Sequence, residues 1–198
     1  LIFMLKCYSK KLIIAGCDEA GRGCIAGPVV AASVILPNDF NCNLINDSKL
    51  LSEKKRNNAY DIIMNKSLSY AIGIVDEKKI DKINILNASI LAMHKAISKL
   101  EITPELLLID GNQFKKYKSI QHKCIVKGDK KFISIAAASI IAKVYRDKLM
   151  QKLHNKIDDY KWNNNKGYPT KFHRKMIEEL GPSIYHRKSF QLTKKIDK

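Results

Sequence analysis

Cysteine is scarce in this sequence, and its arrangement excludes two common uses. The chain has five cysteines among 198 residues, and no two of them form a Cys-x-x-Cys pair. An odd and scattered set argues against a disulfide framework and against a structural zinc site. We therefore expect the cysteines to be small, buried apolar residues in a reducing compartment, which indicates a cytoplasmic protein.

Long apolar runs are absent as well. No stretch approaches the ~20 apolar residues that a membrane-spanning helix requires. The chain begins with an apolar run at residues 1–5, but this run is short and no signal-peptide core follows it. We expect no membrane partner.

Acidic residues are few in comparison with basic ones. The chain has 19 Asp and Glu against 36 Lys and Arg, a formal net charge of +17. The excess is uneven, because residues 101–198 carry 22 basic and 10 acidic side chains. A lopsided basic surface favours a polyanionic partner such as nucleic acid. A general bias of composition is the alternative, since the chain is also rich in Lys, Asn and Ile together.

Short, nearly continuous apolar runs rich in β-branched residues are the main structural signal. Such runs are typical of strands buried on both faces. They occupy residues 12–16, 28–36, 69–75, 106–109 and 124–126. Helical patterns lie between and after them, over residues 52–66, 83–100 and 134–153. Strands mixed with helices predict an α/β fold in which helices cover a sheet.

The last part of the chain has a different character. Residues 155–169 are polar and loop-like. After them, Thr170 is expected to cap a final helix, which the pair Gly181-Pro182 should end. We predict a core over residues 1–154 and a C-terminal extension over residues 155–198.

Acidic side chains stand at the ends of three predicted strands. They are Asp18 with Glu19, then Asp110, then Asp129. One such acid is usually turn chemistry. Three such sites on one chain favour a ligand site, because ligands gather at the carboxyl ends of strands in α/β sheets.

Convergence of these four acids would call for cations. Two unit charges ~4 Å apart repel by about 4 kcal/mol at an effective dielectric of 20. Ligand sets made only of oxygen suit Mg²⁺ or Mn²⁺, and two such ions close together can promote phosphodiester cleavage. Gly21 and Gly23 would let backbone N–H groups approach a phosphate or a sugar.

Six ordered blocks resemble bacterial ribonuclease HII, a type 2 ribonuclease H, from about residue 11 to 190. They are CDEAGRGCIAGPVVAASVILP (17–37), DSKLLSEKKR (47–56), IDGN (109–112), KGD with SIAAASIIAKVYRD (127–129 and 134–147), NKGYPT (165–170) and HRKSF (186–190). The resemblance implies a ribonuclease H-like fold: a mixed sheet flanked by helices, with a C-terminal helical extension. It also implies an endonuclease that cuts the RNA strand of RNA–DNA hybrids and cuts 5′ of single ribonucleotides in duplex DNA. The products would carry a 3′-hydroxyl and a 5′-phosphate.

The resemblance also assigns residues. It implies that Asp18, Glu19, Asp110 and Asp129 are the catalytic acids and hold two divalent ions, Mn²⁺ or Mg²⁺. It implies that Gly21, Arg22 and Gly23 read the ribonucleotide 2′-hydroxyl through backbone groups, and that Tyr168 stacks on the sugar at the junction. Lys49, Lys143, Arg146 and Arg187 are candidate contacts to substrate.

Two other interpretations remain open at this stage. A non-catalytic nucleic-acid-binding protein on the same fold would be expected to lack at least one of the acids. The related ribonuclease HIII carries an extra N-terminal domain, for which the 17 residues before Asp18 leave no room. Nothing in the sequence indicates more than a monomer.

Overall fold

The computed structural model describes residues 5–42, 44–45 and 51–193, and its centre is a five-stranded sheet. The strands are β1 (Ile14–Ala20), β2 (Val29–Ile35), β3 (Ser69–Val75), β4 (Leu106–Asp110) and β5 (Gln121–Ile125). They lie in the order β3-β2-β1-β4-β5. β2 is antiparallel to both β1 and β3, whereas β4 is parallel to β1 and β5 to β4. The predicted α/β architecture with a mixed sheet is confirmed.

Helices cover this sheet and continue beyond it. They are α1 (Glu53–Lys66), α2 (Glu77–Ile97), α3 (Ile133–His154), α4 (Trp162–Asn165) and α5 (Lys171–Leu180), with a 3-10 turn at Gly128–Lys130. Ser52 caps α1 by accepting from the Lys55 N–H, and Thr170 caps α5 by accepting from the His173 N–H. Gly181, with a positive φ of 78°, ends α5. None of the helices in the described part combines the length and apolarity needed to cross a membrane.

The Ala-rich helix α3 lies directly against β1. A Cβ atom placed on Gly16 would lie 2.2 Å from the backbone carbonyl carbon of Ser134, so only glycine permits this approach. α3 and α1 share an apolar cluster on one face of the sheet, and α2 covers the other face. The strand that carries the first acids is therefore held rigidly between two helical layers.

Three expectations about burial and strand ends are corrected. The first strand starts at Ile14 rather than at residue 12, and it runs on to Ala20 because β2 continues to pair with it. β5 is an edge strand and mostly exposed, so it is not buried on both faces. Cys7 and Cys124 are exposed, and all five cysteines are free thiols.

The C-terminal segment packs onto the core through aromatic and aliphatic side chains. Trp162 and Tyr160 are buried in a cluster with Ile25, Ala26 and Met150. The segment after α3 is thereby fixed against the loop that follows β1.

Candidate active site

A crevice forms where two neighbouring strands part. β1 and β4 run parallel, and their pairing ends at Cys17 opposite Ile109. β1 continues beside β2 as far as Ala20, whereas β4 ends at Asp110. The sheet therefore opens at the carboxyl ends of both strands, the position at which α/β sheets usually bind ligands.

Three of the four predicted acids, Asp18, Glu19 and Asp110, line a cavity of about 210 Å³ in this crevice. The Asp18 carboxylate accepts a hydrogen bond from the Glu19 backbone N–H (2.7 Å). The Asp110 carboxylate accepts one from the Gly128 backbone N–H (2.7 Å). Gly128 begins the 3-10 turn that carries the fourth acid, Asp129, which is buried. The fourth acid thus follows the residue that holds Asp110 in place.

Burial and mutual repulsion act together on these carboxylates. Desolvation raises the pKa of Asp18 well above its ordinary value, and the charges of Glu19 and Asp110 raise it further. Desolvation also raises the pKa of Glu19, although the Arg22 guanidinium, 3.1 Å away, opposes that shift. The fully ionised site therefore requires positive charge nearby.

The acidic side chains are not already gathered into a coordination shell. In residues 5–42, 44–45 and 51–193, no group of three or more His, Cys, Asp or Glu side chains is arranged to hold a metal ion. The donor chemistry fits a hard divalent ion, because the three acidic side chains around the cavity offer only oxygen atoms.

The glycine-rich turn after β1 forms one wall of the cavity. Gly21, Arg22 and Gly23 all line it. Gly21 has a positive φ of 96°, and a Cβ atom there would lie 2.0 Å from Nε of Arg146. A Cβ atom at Gly23 would meet only the edge of the Tyr168 ring, at 4.0 Å. The backbone at Gly23 is therefore open on the side where a ligand would approach.

The loop that carries Tyr168 forms the opposite wall. Lys166 and Gly167 have positive φ values of 51° and 83°. The Ile25 N–H donates to the Gly167 carbonyl (2.9 Å), which docks this loop against the segment after the glycine-rich turn. Tyr168 is 43% exposed and lines the cavity. Lys143 of α3 also lines it, and its Nζ lies 6.0 Å from the centre of the Tyr168 ring.

Arg146 and Arg187 require a correction of the predicted contact with substrate. Their exposed fractions are 1% and 0%, so neither guanidinium reaches the surface. Instead they donate to backbone carbonyls of the loops around the cavity, Arg146 to Ala26, Pro28 and Lys166, and Arg187 to Arg22 and Gly27. Desolvation, with the nearby Arg146 charge, lowers the pKa of Arg187 to about 10. These two arginines support the site and do not line it.

One predicted residue and two missed ones complete the inventory. Lys49 lies outside the described residues. Ser139 was missed: it lines the cavity and forms a hydrogen bond that lowers the pKa of Asp18. The available sequence signal was the spacing: Ser139 is a polar residue four positions before Lys143 in an Ala-rich helix, so both lie on the same helical face. His173, which is buried behind Tyr168, was also missed and had no signal in its spacing.

Comparison with known proteins gives one consistent result. A model of the family described as Ribonuclease HII matches residues 15–193. A protein named Ribonuclease HII from Christiangramia forsetii is 54% identical over 189 residues, which is 96% of each chain.

Solved structures agree with this result. The ribonuclease HII in a complex with PCNA from Archaeoglobus fulgidus superposes with a TM-score of 0.77 at 25% identity, covering 92% of this chain and 97% of that one. Bst-RNase HIII, solved in complex with Mn²⁺, gives a TM-score of 0.72 at 18% identity, covering 92% of this chain and 68% of that one. The second likeness concerns the fold alone.

Proposed function

This chain belongs to the ribonuclease HII family and is a ribonuclease H hydrolase, and we propose that it cuts RNA–DNA hybrids and single ribonucleotides embedded in duplex DNA. The cut lies 5′ of the ribonucleotide and leaves a 3′-hydroxyl and a 5′-phosphate. This activity would serve the removal of ribonucleotides from DNA and of RNA primers. One observation carries the proposal: a single cavity is bordered by three carboxylates, the glycine-rich turn and an exposed tyrosine.

The acids are proposed to hold two divalent ions, Mn²⁺ or Mg²⁺. Asp18, Glu19, Asp110 and Asp129 supply oxygen ligands, and Mn²⁺ is present in the fold relative Bst-RNase HIII. When bound, two such ions supply the positive charge that stabilises a phosphate during an in-line displacement. The raised pKa values of Asp18 and Glu19 support this assignment, because a cation would favour their ionised forms.

The two walls of the cavity are proposed to select the substrate. The turn of Gly21, Arg22 and Gly23, whose backbone is open at Gly23, would form hydrogen bonds with a ribose 2′-hydroxyl, the group that distinguishes RNA from DNA. Tyr168 offers a half-exposed ring for stacking on the neighbouring sugar. Lys143, beside that ring, offers a cation for the nucleic-acid backbone that joins the two sugars. A duplex can therefore be read at one sugar without contact to base edges.

The organisation of the chain follows from the same arrangement. We propose a ribonuclease H-like core over residues 1–154 and a substrate-contacting extension over residues 155–198. We propose a monomer as the active form.

The experiment uses a labelled DNA duplex with one ribonucleotide, beside an all-DNA duplex of the same sequence. Each is incubated with the protein in Mg²⁺, in Mn²⁺ and in EDTA. We expect cleavage 5′ of the ribonucleotide in either metal, with ends that a polymerase extends and a ligase accepts. Undiminished cutting in EDTA, or equal cutting of the all-DNA duplex, contradicts the proposal.

The non-catalytic alternative gives a different pattern in the same assay. A protein that only binds would retard the ribonucleotide-containing duplex and leave both strands intact in each metal. Manganese binding, measured by the loss of free Mn²⁺ signal in paramagnetic resonance, separates an inactive site from one that lacks its ions.

A further inference from the structure

A buried chain of polar groups connects the C-terminal segment to the backbone of Tyr168. The Ser183 N–H donates to Nδ1 of His186 (2.9 Å). Nε2 of His186 lies 3.0 Å from Nε2 of His173. The Trp162 indole N–H also donates to that His173 nitrogen (3.1 Å), and Nδ1 of His173 lies 2.9 Å from the Tyr168 carbonyl oxygen.

The donors at the two ends of this chain fix where the protons are. Because Nδ1 of His186 accepts from Ser183, the neutral ring carries its proton on Nε2 and donates it towards His173. Because Nε2 of His173 accepts from Trp162, the neutral ring carries its proton on Nδ1 and donates to Tyr168. This assignment runs in a single direction towards Tyr168, with Nε2 of His173 shared as acceptor between Trp162 and His186.

Both rings are kept neutral by their surroundings. His173 and His186 have exposed fractions of 0% and 1%. Desolvation lowers the pKa of both rings, that of His186 to about 4. The rings of Trp162 and Tyr160 pack around them, with centroids 4.7 to 6.3 Å away. A proton added to either ring would place a charge in an aromatic interior and reverse one of the donors.

The Tyr168 carbonyl does not need this donor for its own satisfaction. It already accepts from the Thr170 N–H at 2.8 Å. The second donor, His173, holds Tyr168 against the rigid interior. Tyr168 directly follows Lys166 and Gly167, the two loop residues with positive φ. Next to His186, Arg187 donates to the Arg22 carbonyl on the other wall. This dipeptide thus contacts the backbone of one wall directly and that of the other through His173.

We propose that His173 and His186 are positioning residues that fix the Tyr168 backbone, and through it the height of the Tyr168 ring over the cavity. This inference rests on the proposed stacking of Tyr168 on the substrate. It concerns the buried side of the loop, since His173 and His186 do not line the cavity.

Two amide substitutions of His173 separate its two contacts. An Asn side chain ends near the place of Nδ1, so His173→Asn can keep a donor to the Tyr168 carbonyl and loses the contacts to Trp162 and His186. A Gln side chain ends near the place of Nε2, so His173→Gln keeps those contacts and loses the donor to Tyr168. We expect His173→Gln to lower kcat/KM for a single embedded ribonucleotide about tenfold, the scale of a small misplacement of a contact group. His173→Asn should lose much less.

A double-mutant cycle tests whether the effect passes through the ring. In a Tyr168→Ala background, His173→Gln should cause no further loss, because no ring remains to be positioned. A tenfold loss that persists in this background would show a general structural role and overturn the proposal. Equal losses for the Asn and Gln variants in the wild-type background would also overturn it. His94→Asn is the matched control, since Nε2 of His94 lies 2.8 Å from the Lys115 carbonyl and the shorter Asn side chain loses this contact.

Measurements without substrate keep this inference separate from the proposed function. In the wild-type protein, the ring ¹⁵N signals should report His173 with its proton on Nδ1 and His186 with its proton on Nε2. The carbonyl ¹³C signal of Tyr168 should shift in His173→Gln and remain near its wild-type position in His173→Asn. The opposite tautomers, or a charged ring near neutral pH, would refute the inference even if both variants failed to fold. Absence of cleavage by the wild type would refute the function and leave these signals unchanged.

Discussion

Asp18 is an acid whose ionised form the fold strongly disfavours. It is 6% exposed, and its pKa is raised first by desolvation and then by Glu19 and Asp110. Asp18→Asn keeps the shape and removes one negative charge, so the free energy of unfolding in EDTA should hold or rise. Cleavage should be abolished, because an amide cannot replace a carboxylate that binds a cation. Urea unfolding and cleavage at saturating Mn²⁺ give the two measurements.

Asp110→Asn should behave in the same way, and Asp39→Asn is the control. Asp39 is exposed and lies away from the cavity, so its variant should cleave and unfold like the wild type. Wild-type turnover by either site variant would remove that residue from the proposed ion site. A marked loss of stability in EDTA would indicate that the carboxylate is structural.

Tyr168 is the residue at which stacking can be separated from packing. Its ring is 43% exposed beside the cavity, so Tyr168→Ala should not unfold the chain. It should slow cleavage at a single ribonucleotide about ten- to a hundredfold, the effect of about 1–3 kcal/mol from one stacking contact. Cleavage inside a long hybrid should slow less, because the next sugar there carries a 2′-hydroxyl and the contact is already imperfect. Tyr168→Phe should keep most activity in both assays, and equal slowing of both substrates by the Ala variant would return Tyr168 to a packing role.

Sequence reasoning at the residue scale identified most groups that line the cavity, with Ser139 as the exception, and misplaced the two arginines that support it. Asp18, Asp110 and Tyr168 occur in local patterns of strand end, turn and motif. The partners of Arg146 and Arg187 are carbonyls 20 to 165 positions away along the chain. From the sequence alone, an arginine that is buried cannot be distinguished from one that contacts phosphate, because a cation is ordinarily expected at the surface. The distinction requires the positions of those distant segments in the fold.

At the scale of elements, α2 contains the clearest deviation from regular geometry. Asn84 has φ 62° and ψ 167° inside the helix, and its side chain accepts from the Asn87 N–H at 3.0 Å. It therefore acts as the N-cap of the second helical part. Asn84→Ala should destabilise the protein by about 1–3 kcal/mol, because it loses the cap and retains the strained φ. Asn84→Gly should cost clearly less, since glycine accepts a positive φ.

Thermal unfolding of the two Asn84 variants measures this difference. Equal melting temperatures would mean that neither the cap nor the backbone strain matters at the kink. Asp76, which caps the first part of α2 with an ordinary backbone, provides the comparison: Asp76→Ala should cost about 1 kcal/mol more than Asp76→Gly, and the difference at Asn84 should be larger because the positive φ adds to it.

The helices and strands themselves were largely predictable, and the exceptions have physical causes. α3 begins and ends within one residue of the predicted helix over residues 134–153, because its Ala-rich, apolar start favours a buried helix over any other element. β5 carries few apolar residues and lies at the edge of the sheet, so its bounds depend on pairing with β4 rather than on its own pattern. The predicted helix over residues 83–100 begins at the kink at Asn84, and the first part of α2, before that kink, was not predicted.

At the scale of the whole molecule, the uneven charge predicts a steep dependence of binding on salt. Hybrid affinity is best measured with Asp18→Asn, which should bind without cutting. A protein with roughly 6–10 phosphate contacts loses about 10³–10⁵ in affinity between 50 and 200 mM salt. Lys143→Ala should reduce the slope of log K against log salt by about one. A flat dependence would attribute the +17 charge to composition alone.

Stability in acid provides the last prediction, because the buried His pair couples the fold to pH. The pKa of His186 is lowered from 6.5 to about 4, mainly by desolvation and then by His173. The unfolded chain therefore takes up a proton below pH 6.5, while the folded chain stays neutral until about pH 4. This contribution is complete above pH 6.5 and is lost as the pH falls through that window. The expected loss is about 2 kcal/mol between pH 7.5 and 5.

Urea unfolding of the wild type and of His186→Gln at both pH values isolates this effect. The two proteins share Asp18 and Glu19, whose raised pKa values act in the opposite sense and cancel in the comparison. His186→Gln should be less stable than the wild type at pH 7.5, because it loses buried contacts. Its stability should fall less towards pH 5, since glutamine does not titrate. Parallel changes in the two proteins would show that the buried ring does not set the acid sensitivity.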